Sequence, residues 1–134
     1  MILEFAKHKR AGLCPVKGCR NKRSPEHYKH GGVCPRCWMR AWRASNPVRD
    51  AWNNLRNSAR RRGKLFGITF KEFVQWCAQT SYIELRGHTA DCAHIDRIDF
   101  RRGYTLDNIQ ILTCSENSTK GNYEKRAMHA EKPF

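Results

Sequence analysis

Four cysteines in two close pairs restrict most strongly how the N-terminal part of this chain can fold. The pairs are Cys14 with Cys19 and Cys34 with Cys37. The segment 14–37 is rich in Gly, Pro, Lys and Arg, and it has too few apolar residues to form a core of its own. Two thiolates a few residues apart can ligate one ion from a tight turn, and four thiolates satisfy tetrahedral zinc. We therefore predict a structural Zn²⁺ ion held by these four cysteines.

The remaining cysteine usage favours an ion over disulfide bonds. The chain has seven cysteines, and we expect no secretory signal and hence a reducing compartment, where cysteine clusters bind metal. His27 and His30 lie between the two pairs and could replace a thiolate, but two complete pairs make this unnecessary. The other three cysteines, Cys77, Cys92 and Cys114, are predicted as small core residues.

Positive charge is confined to one half of the chain. Residues 1–64 contain 17 Lys and Arg residues against three Asp and Glu residues, a net charge of +14, whereas residues 65–134 contain nine of each and are neutral. Because so many charges cannot be buried, the first half must face water or a polyanion. This distribution indicates a nucleic acid as the partner, bound through its phosphates without sequence preference. We expect no membrane span and no membrane partner, because the apolar runs are short.

Two helices and a break between them follow the cysteine segment. Residues 38–44 are predicted as a short helix, and Asn46 with Pro47 marks the start of a longer one that ends at Gly63. Apolar residues recur on the longer helix at steps of three and four, at Val48, Trp52, Leu55 and Ala59.

A third helix is predicted over residues 70–79. Thr69 is a good N-cap residue, and Glu72 stands at the capping-box position three residues later. The core face of this helix is predicted to consist of Phe70, Phe73, Val74 and Cys77.

The segment 94–122 has a different pattern, which predicts two strands followed by a helix. His94 and Asp96 occupy alternate positions of the first strand and therefore share a face. A turn at Gly103 and Tyr104 leads to a second strand over residues 109–112, and a helix begins near Asn117.

This set of side chains suits the hydrolysis of a phosphodiester. An imidazole, such as that of His94, can take a proton from water near neutral pH. A carboxylate and an amide oxygen are hard ligands for a divalent ion such as Mg²⁺, which would neutralise charge on the transition state. Neighbouring basic side chains, among them Arg97 and Lys120, can hold the backbone phosphates.

The same segment resembles the core of phage-type HNH endonucleases, with its D-R-I-D, G-Y-T, N-I-Q, E-N and K-G elements. His94, Asn108 and Asn117 match the three motif positions of the H-N-N variant. The resemblance implies that His94 is the general base, that Asn108 holds the loop and orients His94, and that Asn117 ligates a catalytic Mg²⁺ or Mn²⁺ ion. The cysteine segment is similar to a short zinc motif of the same proteins, with Val16 and Gly18 at matching positions.

One position departs from the HNH pattern. Many members carry Asp immediately before the catalytic His as a metal ligand, and this chain has Ala93 there. Asp96 is our predicted substitute, with Asp91 and then Asp99 as alternatives.

The sequence thus predicts a small α+β protein in three parts. These are a basic arm with a zinc knuckle module (1–44), Arg-rich helices (45–84) and a ββα-metal, or His-Me finger, nuclease core (85–134). We expect a metal-dependent endonuclease that nicks or cuts double-stranded DNA. We expect it in the cytoplasm, which is the cytoplasm of the bacterial host if a phage encodes the protein. Homing, genome packaging and attack on host DNA are all compatible, and the oligomeric state stays open. The predicted phosphate contacts are Arg40, Arg43, Arg56, Arg60, Arg61, Arg62, Lys64, Arg97, Arg101, Arg102 and Lys120. The alternatives are a non-catalytic zinc-containing DNA-binding protein with a degenerate core, and an RNA-binding or RNA-cutting protein.

Overall fold

A computed structural model of the chain describes residues 3–6, 12–23 and 31–131. It is a small α+β protein with helices and one two-stranded antiparallel sheet, as predicted. The chain divides into two compact units, Met1–Asp50 and Ala51–Phe134, called unit 1 and unit 2 here. No helix in the described ranges has the length and apolar character needed to cross a bilayer. The basic run 7–10 and the two histidines His27 and His30 lie outside the described residues.

Unit 1 is built around its cysteines. Three of the four predicted zinc ligands are buried together with two valines, and Leu3, Cys19 and Trp38 pack against them. The sequence of this segment has few apolar residues, and the cysteines themselves therefore make up much of its core. Its buried members are Cys14, Val16, Val33, Cys34 and Cys37.

The helix that follows, α1 (Pro35–Ser45), starts earlier than predicted because the second cysteine pair lies at its first turn. Cys34 is its N-cap residue, and Pro35 takes a place in the first turn, where its missing N–H costs nothing. Helix α2 (Pro47–Arg61) begins at Pro47 as predicted and ends two residues before Gly63, the predicted end, which has φ +61°.

Unit 2 holds the predicted apolar face of α2 against α3 (Phe70–Thr80) and the strands. Leu55 and Ala59 are buried as predicted, and Phe73 is fully buried on α3. The capping box of Thr69 and Glu72 is formed in both directions. The buried residues of this unit are Ala51, Leu55, Ala59, Ile68, Phe73, Cys77, Ala93, Tyr104, Asn108 and Ile109.

Val74 is a correction to the predicted core. Its side chain is 40% exposed. The next helix, α4 (Tyr82–Leu85), brings Tyr82 against the rings of Phe73 and Trp76. Val74, two positions before Trp76, lies away from these contacts, because residues two apart on a helix do not share a face.

The sheet consists of β1 (Ala93–Arg97) and β2 (Ile109–Thr113), paired antiparallel with His94 opposite Leu112 and Asp96 opposite Gln110. A 3₁₀ turn, Leu106–Asn108, leads into β2. Helix α5 (Cys114–Ala130) follows directly and contacts both strands. It begins three residues before Asn117, because Thr113 and Glu116 form a second capping box that the sequence analysis missed.

Candidate functional site

The four paired cysteines converge on one point in unit 1. Their sulfur atoms all lie within 4.8 Å of one another, and the Sγ atoms of Cys19 and Cys34 are 3.7 Å apart. Tetrahedral zinc with Zn–S bonds of about 2.3 Å places its sulfurs roughly 3.8 Å apart. The donor chemistry and the spacing both fit, so these cysteines could hold a zinc ion.

Local backbone geometry aims the thiols inward. Gly18 has φ +74°, which lets the chain turn between Val16 and Cys19, and the Cys19 N–H donates to the Val16 carbonyl at 3.1 Å. The Cys34 N–H donates to the Sγ of Cys14 at 3.3 Å. Such a bond is the usual way in which backbone stabilises a metal thiolate.

The charges of the cluster favour a bound cation. Burial and the neighbouring sulfurs of Cys19 and Cys34 raise the pKa of Cys37. Burial also acts to raise the pKa of Cys34, but hydrogen bonds from Asn21 and from the Cys37 backbone outweigh it and lower that pKa. Four thiolates this close can all be ionised only around a cation. None of the seven cysteines, all within the described ranges, forms a disulfide bond.

The other three cysteines lie in unit 2, outside this cluster. Cys77 is buried, and burial raises its pKa to about 11, which describes an unreactive core thiol as predicted. Cys92 and Cys114 are only half-buried, so their prediction as core residues was too strong.

His94 lies on β1 in unit 2, and one of its ring nitrogens is unusual. Its Nε2 atom is buried and has no hydrogen-bond partner among the described residues. A buried ring nitrogen without a partner costs free energy, so it requires an explanation in function or in a bound group.

A cavity of about 240 Å³ in unit 2 connects His94 with residues from other elements. His94 and Asn117 line it together with Arg62 and Arg86. No carboxylate is found among the described residues that line it. Two guanidinium groups without an acid make this a cavity for an anion. Its remaining lining residues are Ala51, Asn54, Leu55, Ser58, Tyr82, Ile95 and Tyr104.

Asn108 holds the loop between the two strands. It is 1% exposed, its Oδ1 accepts from the Asp99 N–H at 2.9 Å, and its Nδ2 donates to the carbonyls of Asp99 and Gly103 at 3.0 and 2.8 Å. Its backbone carbonyl accepts from the N–H of Ile98. These bonds agree with the loop-holding half of its predicted role. Among the described residues, no hydrogen bond joins Asn108 to His94.

Asp96, the predicted metal ligand, is engaged within the protein. Its Oδ2 accepts from Lys120 Nζ at 2.5 Å and from Gln110 Nε2 at 2.9 Å. Lys120 also donates to the carbonyls of Arg97 and Ile98. Asp96 lines a second cavity of about 330 Å³, which shares Arg62, Ile95, Tyr104 and Asn117 with the first.

The alternative ligands are no better placed. Asp91 is exposed, and Asp99 accepts from the N–H of Arg101 at 2.9 Å. Within the described ranges, the four cysteines of unit 1 form the sole cluster of three or more His, Cys, Asp or Glu side chains that could hold a metal.

The predicted phosphate contacts fall into two groups. Most of those before residue 65 are exposed, whereas several in unit 2 serve the protein itself. Arg97 donates to the carbonyls of Phe100 and Arg102, and Arg102 pairs with Asp107 at 2.7 Å. Lys64 donates to the carbonyl of Arg101. The exposed members are Arg40, Arg43, Arg56, Arg60, Arg61, Arg62, Arg101 and Arg102.

Sequence reasoning missed Arg86 and the polar side of α2. Asn54, Ser58 and Arg62 line the 240 Å³ cavity and recur every four residues, so helical spacing could have grouped them. Arg86 follows a short helix, and no local sequence signal marks it. Tyr104, placed in the predicted turn, is buried, and its hydroxyl accepts from Arg62.

Replacing Asn108 with alanine is expected to lower the free energy of unfolding by about 3 kcal/mol. The change removes three side-chain hydrogen bonds and leaves the groups of the 98–103 loop without partners. Urea denaturation of the zinc-loaded chain measures the effect. Asn122→Ala, at an exposed position of α5, is the control and should change little. A loss no larger than that of the control would show that the loop does not depend on Asn108.

Comparison with known proteins identifies no relative: no family model, no curated protein and no solved structure matches the chain.

Proposed function

We propose that this protein is a DNA endonuclease of the HNH type, which nicks or cuts double-stranded DNA by hydrolysing a phosphodiester bond. One observation supports this most: the Nε2 of His94, buried and without a partner in the described part of the chain, belongs to a ring that lines a cavity together with Asn117 and two arginines. An imidazole beside a cavity with cationic lining residues and no described carboxylate combines a base for water with a site for a phosphate.

In this proposal the reaction proceeds by attack of water on phosphorus. His94 accepts the proton of the water, a new P–O bond forms, and the bond to the sugar oxygen breaks. Arg62 and Arg86 bind the phosphate oxygens, whose negative charge grows as the water attacks. The leaving oxygen takes up a proton, so the products are a phosphomonoester end and a hydroxyl end.

Two asparagines would position this chemistry. Asn108 holds the loop that follows β1 through its bonds to Asp99 and Gly103. Asn117 lies in the first turn of α5 and offers an amide to the cavity that His94 lines. The order β1, β2, α5, with α5 against both strands, agrees with a ββα-metal core.

The cavity beside His94 does not fit a catalytic Mg²⁺ ion. Mg²⁺ generally needs one or two carboxylates beside substrate oxygens and water. The 240 Å³ cavity has no carboxylate among its described lining residues, and Asp96 is paired with Lys120. These side chains do not fit the ion, so the proposed reaction does not involve it. Dependence on Mg²⁺ or Mn²⁺ stays a prediction from the HNH resemblance.

Unit 1 would supply affinity for DNA. Zinc bound by its four cysteines would fix the knuckles and α1, and the exposed arginines of α1 and α2 would contact the phosphates. In this scheme residues 65–134, which are neutral overall, carry the base His94 and both asparagines.

A second candidate function is a zinc-containing DNA-binding protein without catalysis. The pairing of Asp96 with Lys120 favours it, since the side chain expected to bind the catalytic ion already has a cationic partner. It would use the same basic surface and would leave the cavity beside His94 without a reaction.

A plasmid assay separates the two functions. Zinc-loaded protein is incubated with supercoiled plasmid, with and without added Mg²⁺ or Mn²⁺, and nicked and linear products are resolved on a gel. Omitting the added ion is a better control than a chelator, because a chelator would also remove zinc. Cleavage that needs the added ion supports the HNH-type enzyme, and binding without cleavage under every condition supports the second candidate.

A further inference from the structure

A groove of about 380 Å³ lies beside the cysteine cluster in unit 1. It is lined by Cys19 and Cys37 and by four basic residues, Lys17, Arg20, Arg36 and Arg40. All four basic residues are exposed. No carboxylate lines it among the described residues. We call this the α1 groove, and its charged lining side chains are all cationic.

The cations of the α1 groove are little used within the protein. Lys17 pairs with Glu4 at 3.2 Å, but both side chains are more than 70% exposed, and such surface pairs are weak. The side chains of Arg20, Arg36 and Arg40 make no ion pair or hydrogen bond with another described residue.

These arginines do not serve to neutralise the negative charge of the cysteine sulfurs. The side-chain donor to the sulfur of Cys34 is Asn21, at 3.4 Å, and the donor to Cys14 is the Cys34 N–H. No arginine donates to a sulfur atom within the described ranges. The guanidinium groups therefore remain available for a ligand from solution.

The start of α1 adds a second attraction for an anion. Its first turn has no acidic residue. Arg36 stands in this turn, where a cation opposes the helix dipole. An anion in the α1 groove would compensate this misplaced cation. Arg40, four residues further on, lies on the same side of α1.

We propose that the α1 groove binds a backbone phosphate of duplex DNA. The identity of the anion as DNA phosphate rests on the proposed function, while the groove itself stands on its own charges and shape. A backbone phosphate suits a shallow site with several guanidinium groups, because Arg binds phosphate oxygens in pairs and in a plane. The site reads no base, so it adds affinity without sequence preference.

A pair of double variants tests this assignment. Arg36→Gln with Arg40→Gln removes two groove cations and keeps good helix formers. Lys71→Gln with Arg126→Gln removes two exposed helical cations outside the groove and is the charge-matched control. Binding of a labelled duplex to the zinc-loaded chain is followed by fluorescence anisotropy over a range of salt concentrations, without added Mg²⁺ or Mn²⁺.

The groove variant should bind roughly tenfold more weakly, with a log–log salt slope reduced by about 0.9 for each lost phosphate contact. The control should keep the affinity and the slope of the wild type. Equal losses in the two variants would show that net charge matters and not the groove. Displacement of the duplex by millimolar inorganic phosphate at constant ionic strength would show a site for free anion and overturn the DNA assignment.

The outcome is independent of catalysis. If the groove variant loses DNA binding but the wild type leaves plasmid intact, the proposed endonuclease activity is wrong and the groove assignment stands. If the wild type cuts plasmid but the groove variant binds DNA as tightly as the wild type, the groove assignment is wrong and the endonuclease activity stands.

Discussion

Replacing His94 with alanine should lower the rate of DNA cleavage by roughly 10²–10⁴-fold, the usual contribution of a positioned general base. DNA affinity should change little, because His94 is not one of the predicted phosphate contacts and the exposed arginines are left unchanged. The fold should also tolerate the change. The Nε2 of His94 has no partner among the described residues, so removing this atom breaks no hydrogen bond there.

The measurement is single-turnover cleavage of a plasmid at saturating protein, which isolates the chemical step from binding. His88→Ala is the matched control, since His88 is exposed and lies outside the cavity. The pH profile adds a second readout. If His94 is the base, cleavage by the wild type falls as the imidazole becomes protonated, and the residual rate of His94→Ala loses this dependence. Wild-type cleavage by His94→Ala would refute the assignment of the base.

Loss of zinc should have an equally large effect, but on unit 1. Apparent zinc affinities in small cysteine modules correspond to about 10–16 kcal/mol near neutral pH, more than such a module can gain from apolar burial. Three of the five buried residues in the hydrophobic cluster of unit 1 are the ligands themselves, so little remains to hold it once the ion is gone. Chelation should therefore unfold the region 14–44 and weaken DNA binding, and added zinc should restore both.

Near-UV circular dichroism of Trp38 and Trp42 follows the unfolding, and anisotropy follows the binding. Cys34→Ser disables the site without a chelator, and Cys114→Ser, outside the cluster, controls for the loss of a thiol. A chain that keeps both its near-UV signal and its DNA affinity after complete removal of zinc would contradict the prediction.

Predictions from the sequence succeeded where the signal was local. The capping box of Thr69 and Glu72 requires a spacing of three residues, and it forms. The alternation of His94 and Asp96 predicted a strand, and both residues lie on β1. The two cysteine pairs predicted a four-sulfur cluster, because a pair within a tight turn leaves few other arrangements.

Features that depend on long-range packing could not be predicted. The partner of Asp96 is Lys120, 24 residues away, and only the docking of α5 on β1 brings them together. The cavity beside His94 takes Arg86 from the end of a short helix that has no sequence pattern. The exposure of Val74 depends on which side of α3 packs against Tyr82, and helical periodicity alone does not determine that side.

The contacts of Lys120 give unit 2 a counter-ion that is tethered to the chain. Its ammonium group lies among oxygens of Asp96, Glu124 and two loop carbonyls, an arrangement that in other proteins surrounds a dissolved cation. A tethered cation has no dissociation constant, so the joint between β1 and α5 needs no metal ion from solution. Any ion that binds Asp96 must first displace an amine that cannot diffuse away.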